Sequence, residues 1–308
     1  MPEGHTLHRL ALDLDAAFAG RPTHSSSPQG RFADGAARID GRVLAGAEAY
    51  GKQLFVAFDG LAEQVRIHLG LIGGLTISSG TDRPVVGAVR WRLESDEAWA
   101  DLRGATVCTL IGPAEKEAYV AGLGPDPLRG DADPDRAWAR ITRSRLTIAA
   151  LLMEQGVLAG VGNVYRAELL FRHGLDPFME GRFLRRGEWD ALWADLVALM
   201  HVGVERNRID TVRPEHEPEA MGREPRQDDH GGEVYVYRRA HLPCWVCGTP
   251  VRTQVLAGRN LFWCPRCQPR SRRRVPVTRA AARRPGARGA TGRTVSSRPE
   301  ASGRPASR

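Results

Sequence analysis

Lysine is almost absent from this chain: Lys52 and Lys116 are the only two among 44 basic residues. A GC-rich, arginine-heavy coding background accounts for the skew, so each surviving lysine deserves a reason of its own. Cysteine is scarce as well, at five in 308 residues, and 42% apolar residues suffice to bury the cores of two or three compact domains without disulfides. No apolar run approaches the roughly 18 to 20 residues of a membrane span, and the first residues show no basic stretch leading into an apolar one. A cytoplasmic location, with no membrane partner, is the expectation.

Positive charge is concentrated at one end. The formal charge is +8 and the pI about 9.8, but Arg270 to Arg308 carries twelve arginines against Glu300 alone, a surplus of eleven, which leaves residues 1 to 269 at −3. Any nucleic-acid surface on the folded part must therefore come from local clustering. Residues 269 to 308 are Arg, Ala, Pro, Gly, Ser and Thr with almost nothing to bury, and are expected to be a disordered basic tail.

Hydrophobic spacing divides the rest. Leu7, Leu10, Leu14 and Phe18 recur at helical spacing. A period of two then takes over: Leu54, Val56, Phe58; Val65, Ile67, Leu69; Val89, Trp91, Leu93. Residues 1 to 125 thus read as a β-rich domain with helices at its edges, and residues 126 to 212 as helical. Residues 213 to 233, rich in Pro, Gly and polar side chains, read as a linker or mobile loop. Between two helical stretches lies Gly160-Val161-Gly162-Asn163, a turn whose free backbone N–H groups suit an anion such as phosphate, or else a tight helix connection without a ligand.

The strongest chemical signal is Cys244-Trp245-Val246-Cys247 followed, after sixteen residues, by Cys264-Pro265-Arg266-Cys267. Two such pairs supply four thiolates for one tetrahedral structural Zn²⁺ within residues 234 to 268, with no coordination position left for catalysis. Between them, Arg252, Arg259 and Asn260 give the hairpin a basic tip suited to phosphate. Cys108 sits in an apolar run and reads as a buried structural thiol. Pro2 would expose a secondary amine once Met1 is removed, and such an amine can attack a sugar C1′, with Glu3 beside it as acid or base. Met-Pro-Glu alone says little, since many chains begin this way.

Together these features resemble the formamidopyrimidine-DNA glycosylase and endonuclease VIII family over nearly all of residues 1 to 268. The matching pieces are Pro2-Glu3-Gly4, Gly51-Lys52, His68-Leu69-Gly70-Leu71, Leu123-Gly124-Pro125-Asp126-Pro127-Leu128, Gly160-Val161-Gly162-Asn163-Val164-Tyr165, and Gly258-Arg259 with Cys264-Pro265-Arg266-Cys267-Gln268. The resemblance implies a multidomain α+β fold: an N-terminal β-sandwich with flanking helices, a helix-two-turn-helix module and a C-terminal zinc ribbon. It implies a monomeric, nucleoid-associated enzyme acting on damaged double-stranded DNA, a glycosylase and abasic-site lyase. Pro2 would be the nucleophile, Glu3 would move protons at the sugar, and Lys52 and Arg259 would assist elimination. Asn163 would grip phosphate and Leu71 would fill the gap left by a flipped base, with His68 and Arg103 as further DNA contacts.

His5 and Thr6 depart from the Leu-Pro-Glu continuation of the 8-oxoguanine-preferring branch, and Gly70 stands where some endonuclease VIII members carry a glutamine. The start resembles an actinobacterial endonuclease VIII branch, which implies a preference for oxidised pyrimidines and abasic sites. Two other readings compete: a damage-sensing zinc-ribbon protein that has lost chemistry, which Pro2, Glu3 and Lys52 argue against, and a zinc-ribbon RNA-binding or translation factor, which leaves the N-terminal triplet unexplained. The basic tail lies outside the resemblance. It is expected to add salt-sensitive DNA affinity, so that its deletion flattens the salt dependence of binding.

Overall fold

In the computed structural model, residues 2–80, 84–227 and 232–273 are described; most of the basic tail lies outside them. Helix α1, Gly4–Phe18, buries Leu7, Ala11, Leu14 and Phe18, so Ala11 takes the core position that spacing assigned to half-buried Leu10. It lies along a β-sandwich. One sheet runs β2 (Leu44–Tyr50), β3 (Gln53–Phe58), β4 (Gln64–His68), β8 (Val107–Ile111); the other runs β1 (His24–Ser26), β6 (Val89–Glu94), β7 (Ala98–Arg103), β5 (Gly74–Ser79). All neighbouring strands are antiparallel. The alternating residues Val65, Ile67, Trp91 and Leu93 meet in the sandwich interior with Leu7, Leu14 and Phe18 of α1. Helix α2, Ala33–Ile39, closes one edge through Ala36 and Ile39.

The chain then leaves the sandwich through α3 (Pro113–Ala121) for the helical module: α4 (Pro134–Ile141), α5 (Ile148–Leu151), α6 (Asn163–Arg172) and α7 (Arg186–Arg206). Helix α6 is buried from Asn163 to Phe171, as expected of a helix enclosed on every side. Helix α7 turns Trp189, Leu192, Leu196 and Met200 inward and lies against α1, where Gly203 makes room: a Cβ there would stand 2.4 Å from the Tyr165 hydroxyl.

The ribbon does not have a core of its own. Val251, Leu261, Phe262 and Cys264 pack into the same apolar cluster as α6 and α7. Its hairpin, β9 (Arg252–Leu256) and β10 (Arg259–Trp263), turns at Ala257 and Gly258, both with positive φ, the geometry of a two-residue hairpin turn. Among the described residues no helix is long and apolar enough to cross a membrane.

Two segments depart from the sequence expectation. Residues 213–227 are not a free linker: a 3₁₀ turn at Pro214–His216 and helix α8, Pro218–Met221, are fastened by Arg213 N–H and His216 Nδ1 to the Tyr235 hydroxyl at 2.9 and 3.0 Å. The tail does not begin at 269 either. Arg270 stacks on Phe178 at 3.8 Å, Ser271 N–H donates to Asp176, and Arg273 pairs with Glu188. Composition hid both, because each is held by partners far away in sequence.

Candidate functional site

The site forms where the first residues of the chain meet the start of α6. Glu3 is fully buried. It precedes α1, yet its carboxylate caps the other helix: Gly162 N–H donates to Oε2 and Val164 N–H to Oε1, each at 2.8 Å, with Tyr165 N–H at 3.4 Å. These are the orphan donors of a helix N-terminus, where partial positive charge collects. The expectation that this turn offers free N–H groups to phosphate is therefore corrected: the anion they hold is Glu3.

Glycines make the approach feasible. A Cβ on Gly162 would stand 2.4 Å from Glu3 Cδ, one on Gly4 would stand 2.8 Å from Gly160 Cα, and one on Gly51 would meet the Gly160 nitrogen at 3.0 Å. Gly4 N–H donates to the Gly160 carbonyl at 2.8 Å. Three separated stretches of sequence thus meet backbone to backbone, which is why glycine recurs in each.

Lys52 follows Gly51 into this seam. Burial drives its pKa down and that of Glu3 up, and in each case outweighs the attraction between the two. Glu3 is thereby held more readily as the acid and Lys52 more readily as the free amine. Asp126, buried, fixes the turn that carries Lys52: its Oδ2 accepts from Gly51 N–H at 2.6 Å and meets His8 Nε2 at 2.8 Å. On the other side, His68 Nδ1 donates to the Lys52 carbonyl at 2.8 Å. His5, one residue past Gly4, is buried against Tyr165, and burial lowers its pKa to about 4.

The hairpin brings further positive charge. Arg259 is exposed just past the tight turn, close enough to depress the pKa values of both Lys52 and Arg166. Asn163, the first residue of α6, donates from Nδ2 to the Asn260 carbonyl at 3.0 Å. Sequence reading singled out Pro2, Glu3, Lys52, Asn163 and Arg259, and all of them border this one seam except half-exposed Pro2, which leads into it.

Leu71 and Arg103 sit elsewhere. Leu71 is 53% exposed in the turn between β4 and β5, with Ile72 beside it at 90%, so it is no core leucine. Arg103 ends β7 with its guanidinium on the Asp101 carboxylate and the Val86 carbonyl, at 2.6 and 2.9 Å. Its strand pairs with Gly74, directly after the Leu71 turn.

The four ribbon cysteines place their sulfurs within 4.8 Å of one another, with Cys244 and Cys267 at 3.8 Å and Cys247 and Cys264 at 3.5 Å. A tetrahedral zinc with Zn–S bonds of about 2.3 Å requires sulfurs roughly 3.8 Å apart, whereas a disulfide requires about 2.05 Å. The donor set fits one structural Zn²⁺. Cys108 is buried alone on β8, its thiol pushed up to about 12 by desolvation.

Sequence reasoning passed over Asp126, Arg166, Glu168 and Gln268 as individual residues. Glu168, buried on α6, accepts from the N–H groups of Tyr235, Val236 and Tyr237 at 2.6 to 2.8 Å. Gln268 joins Cys264 N–H to the Leu175 carbonyl. Charged or amide side chains set among apolar neighbours, as in Tyr165-Arg166-Ala167-Glu168-Leu169, were the available signal.

Comparison with known proteins agrees with this architecture. Residues 1–108 match the formamidopyrimidine-DNA glycosylase N-terminal domain, 123–213 its H2TH domain, and 242–270 the zinc finger found in FPG and IleRS. The chain belongs to the formamidopyrimidine-DNA glycosylase and endonuclease VIII family of base-excision-repair enzymes. Within it, the chain sides with the actinobacterial endonuclease 8 branch: it is 53% identical to Endonuclease 8 1 of Mycobacterium tuberculosis over 275 residues, 87% of this chain and all of that one. Probable endonuclease 8 2 of Streptomyces coelicolor is 32% identical, covering 87% and 94%. The Fpg of Lactococcus lactis, solved with DNA containing an abasic site, shares the fold at a TM-score of 0.70 and 19% identity over 87% of this chain and all of that one.

Proposed function

We propose that this chain removes oxidised bases from double-stranded DNA through a Schiff base on Pro2 and then cleaves the strand, acting as a monomer in the cytoplasm on the nucleoid. With Met1 removed, the Pro2 nitrogen lone pair attacks C1′ of a nucleotide flipped from the stack. The glycosidic C–N bond breaks, and the base leaves with a proton. Ring opening gives an iminium between Pro2 and C1′, which renders the C2′ hydrogen acidic. Its loss expels the 3′ phosphate, and a second elimination expels the 5′ phosphate.

Glu3, kept toward its neutral form by burial, delivers the proton at the sugar; Lys52, its cation weakened by burial, contacts the adjoining phosphate and assists the first elimination. Arg259 and Asn163 hold the flanking phosphates, and Arg259 serves the second elimination. Leu71 fills the vacated space in the duplex, with His68 and Arg103 as further DNA contacts. Zn²⁺ keeps the hairpin in place and takes no part in the chemistry. The observation that carries the reading is the buried Glu3 carboxylate, one residue from Pro2, beside Lys52 and fixed by helix N–H donors.

The test is borohydride trapping on a duplex with one abasic site. A covalent band with wild type that is lost with Pro2→Gly is expected; no band from a processed, zinc-loaded, DNA-binding protein overturns the lyase. The resemblance to the endonuclease 8 branch implies a preference for oxidised pyrimidines, so thymine glycol or dihydrouracil is expected to be excised faster than 8-oxoguanine opposite cytosine. The reverse order refutes that preference.

A further inference from the structure

Arg166 is an uncommon feature of this molecule: a fully buried arginine with no carboxylate at ion-pair distance among the described residues. Its guanidinium lies among backbone and amide oxygens. Nη2 donates to Asn163 Oδ1 and, at 3.4 Å, to the Asn260 carbonyl; Nη1 reaches the Ala149 carbonyl at 3.5 Å. Nε has no partner among the described residues. A buried cation so thinly compensated costs the fold free energy, and burial lowers its pKa to about 10, against the attraction of Glu3.

What that cost secures is visible one turn away. An asparagine amide is nearly symmetric in shape, and its partners decide which end is oxygen. A guanidinium can only donate, so contact with Arg166 commits Asn163 Oδ1 to the inside. The Nδ2 end must then face the hairpin, where one hydrogen goes to the Asn260 carbonyl. Its second hydrogen has no acceptor among the described residues, and Arg259 precedes Asn260 on the same strand.

We infer that Arg166 is the positioning residue for phosphate capture. By holding Asn163 in the donor-outward orientation, it lets the Asn163 amide donate to a DNA phosphate in the region served by Arg259. Were Arg166 absent, the Asn260 carbonyl alone would oppose the amide's turning to offer its oxygen to a phosphate that has only acceptors to give back. This rests on the phosphate-gripping role assigned above to Asn163 and Arg259. Arg166 itself, being buried, touches no phosphate.

The experiment is a double-mutant cycle in lesion-duplex binding, using zinc-loaded full-length protein: wild type, Arg166→Met, Asn163→Ala and the double variant. Arg166→Met is expected to weaken binding about tenfold or more, the order associated with losing a hydrogen bond to a charged group. In the Asn163→Ala background the same substitution should add almost nothing. The salt slope should stay at its wild-type value, whereas Arg259→Ala should lower it by about 0.9, one phosphate's worth. Arg166→Lys, which keeps a donor-only head, should restore most of the loss, and Arg166→Gln, uncharged and of similar length, carries the cycle if the Met variant loses zinc. Equal losses in both backgrounds, wild-type binding by Arg166→Met, or a slope reduced as in Arg259→Ala each overturn the inference. If Asn163→Ala and Arg259→Ala both bind like wild type, the phosphate-gripping reading itself has failed.

Discussion

The contact between Gly162 and Glu3 gives the sharpest test of how chemistry and folding are joined. Gly162 has φ −122° and ψ −157°, a conformation open to any L-residue, so Gly162→Ala introduces no backbone strain. Its one immediate consequence is a methyl group 2.4 Å from Glu3 Cδ and 2.6 Å from Oε1. The carboxylate must move, and moving takes it off the Gly162 and Val164 N–H groups. Overpacking costs about 1 to 3 kcal/mol, and a hydrogen bond to a charged group contributes about 1.5 to 3 kcal/mol. Partial relaxation puts the total at about 3 kcal/mol. For a folded unit of this size each kcal/mol shifts the melting temperature by about 2 to 4 °C, so a fall of roughly 6 to 12 °C is expected.

The catalytic consequence should be larger than the stability loss. Base excision should drop by two orders of magnitude or more in single turnovers, because a displacement of about 1 Å at a reacting group costs on the order of 100-fold. Zinc content should be unchanged. The decisive comparison is Gly162→Ala in a Glu3→Ala background, where no carboxylate remains to be struck: thermal unfolding should then show almost no further loss. Additive losses in the two backgrounds would refute the argument, since they would mean that the methyl group clashes with something other than Glu3.

Three further outcomes follow from named contacts. His5 has a folded pKa lowered to about 4 from 6.5 by burial, so its stabilising neutral form is intact above pH 6.5 and is lost as pH falls toward 4. The penalty is about 2 kcal/mol at pH 5; urea midpoints at pH 7 and pH 5 should differ accordingly, and His5→Leu should narrow the difference. Stripping the zinc, or Cys264→Ser, should destabilise the helical module as well as the ribbon, because Leu261 and Phe262 share its core; calorimetry showing an unchanged transition would contradict that shared core. Leu71→Ala should leave the melting temperature within about 1 °C, as expected of an exposed side chain, while weakening lesion-duplex binding in a fluorescence titration; loss of stability with unchanged binding would assign Leu71 a packing role instead.

How far the sequence could be read depended on whether a feature was local. The alternation at Val65, Ile67, Leu69 and at Val89, Trp91, Leu93 needs only a pleated strand with one buried face, and all six residues are buried. The two Cys-x-x-Cys pairs carry their geometry in their spacing. Gly162 was noticed, but its purpose was not legible, because the anion at that helix start comes from a residue 159 positions earlier. The same distance hid Asp126, which reaches back to Gly51 and His8, and Glu168, which collects N–H donors from residues 235 to 237. Polar side chains serving partners this far away leave no periodic trace.

Those long-range carboxylates also bear on why the residues proposed to react stand on no element of their own. Pro2 and Glu3 lie before the first helix, a position at which chain ends are ordinarily loose. Here the end is held by Gly4 N–H on the Gly160 carbonyl and by the Glu3 carboxylate on α6. The second of these is made by the group to which the proposed mechanism assigns proton exchange with substrate. Protonating Glu3 removes charge from acceptors at a helix N-terminus and weakens that cap, while burial acts in the opposite sense by favouring the neutral acid. The two effects oppose one another at one carboxyl group, burial being the larger. A residue fastened by ionised interactions alone would lose its anchor at the moment it delivered a proton; one buried without donors would never ionise to take the proton back.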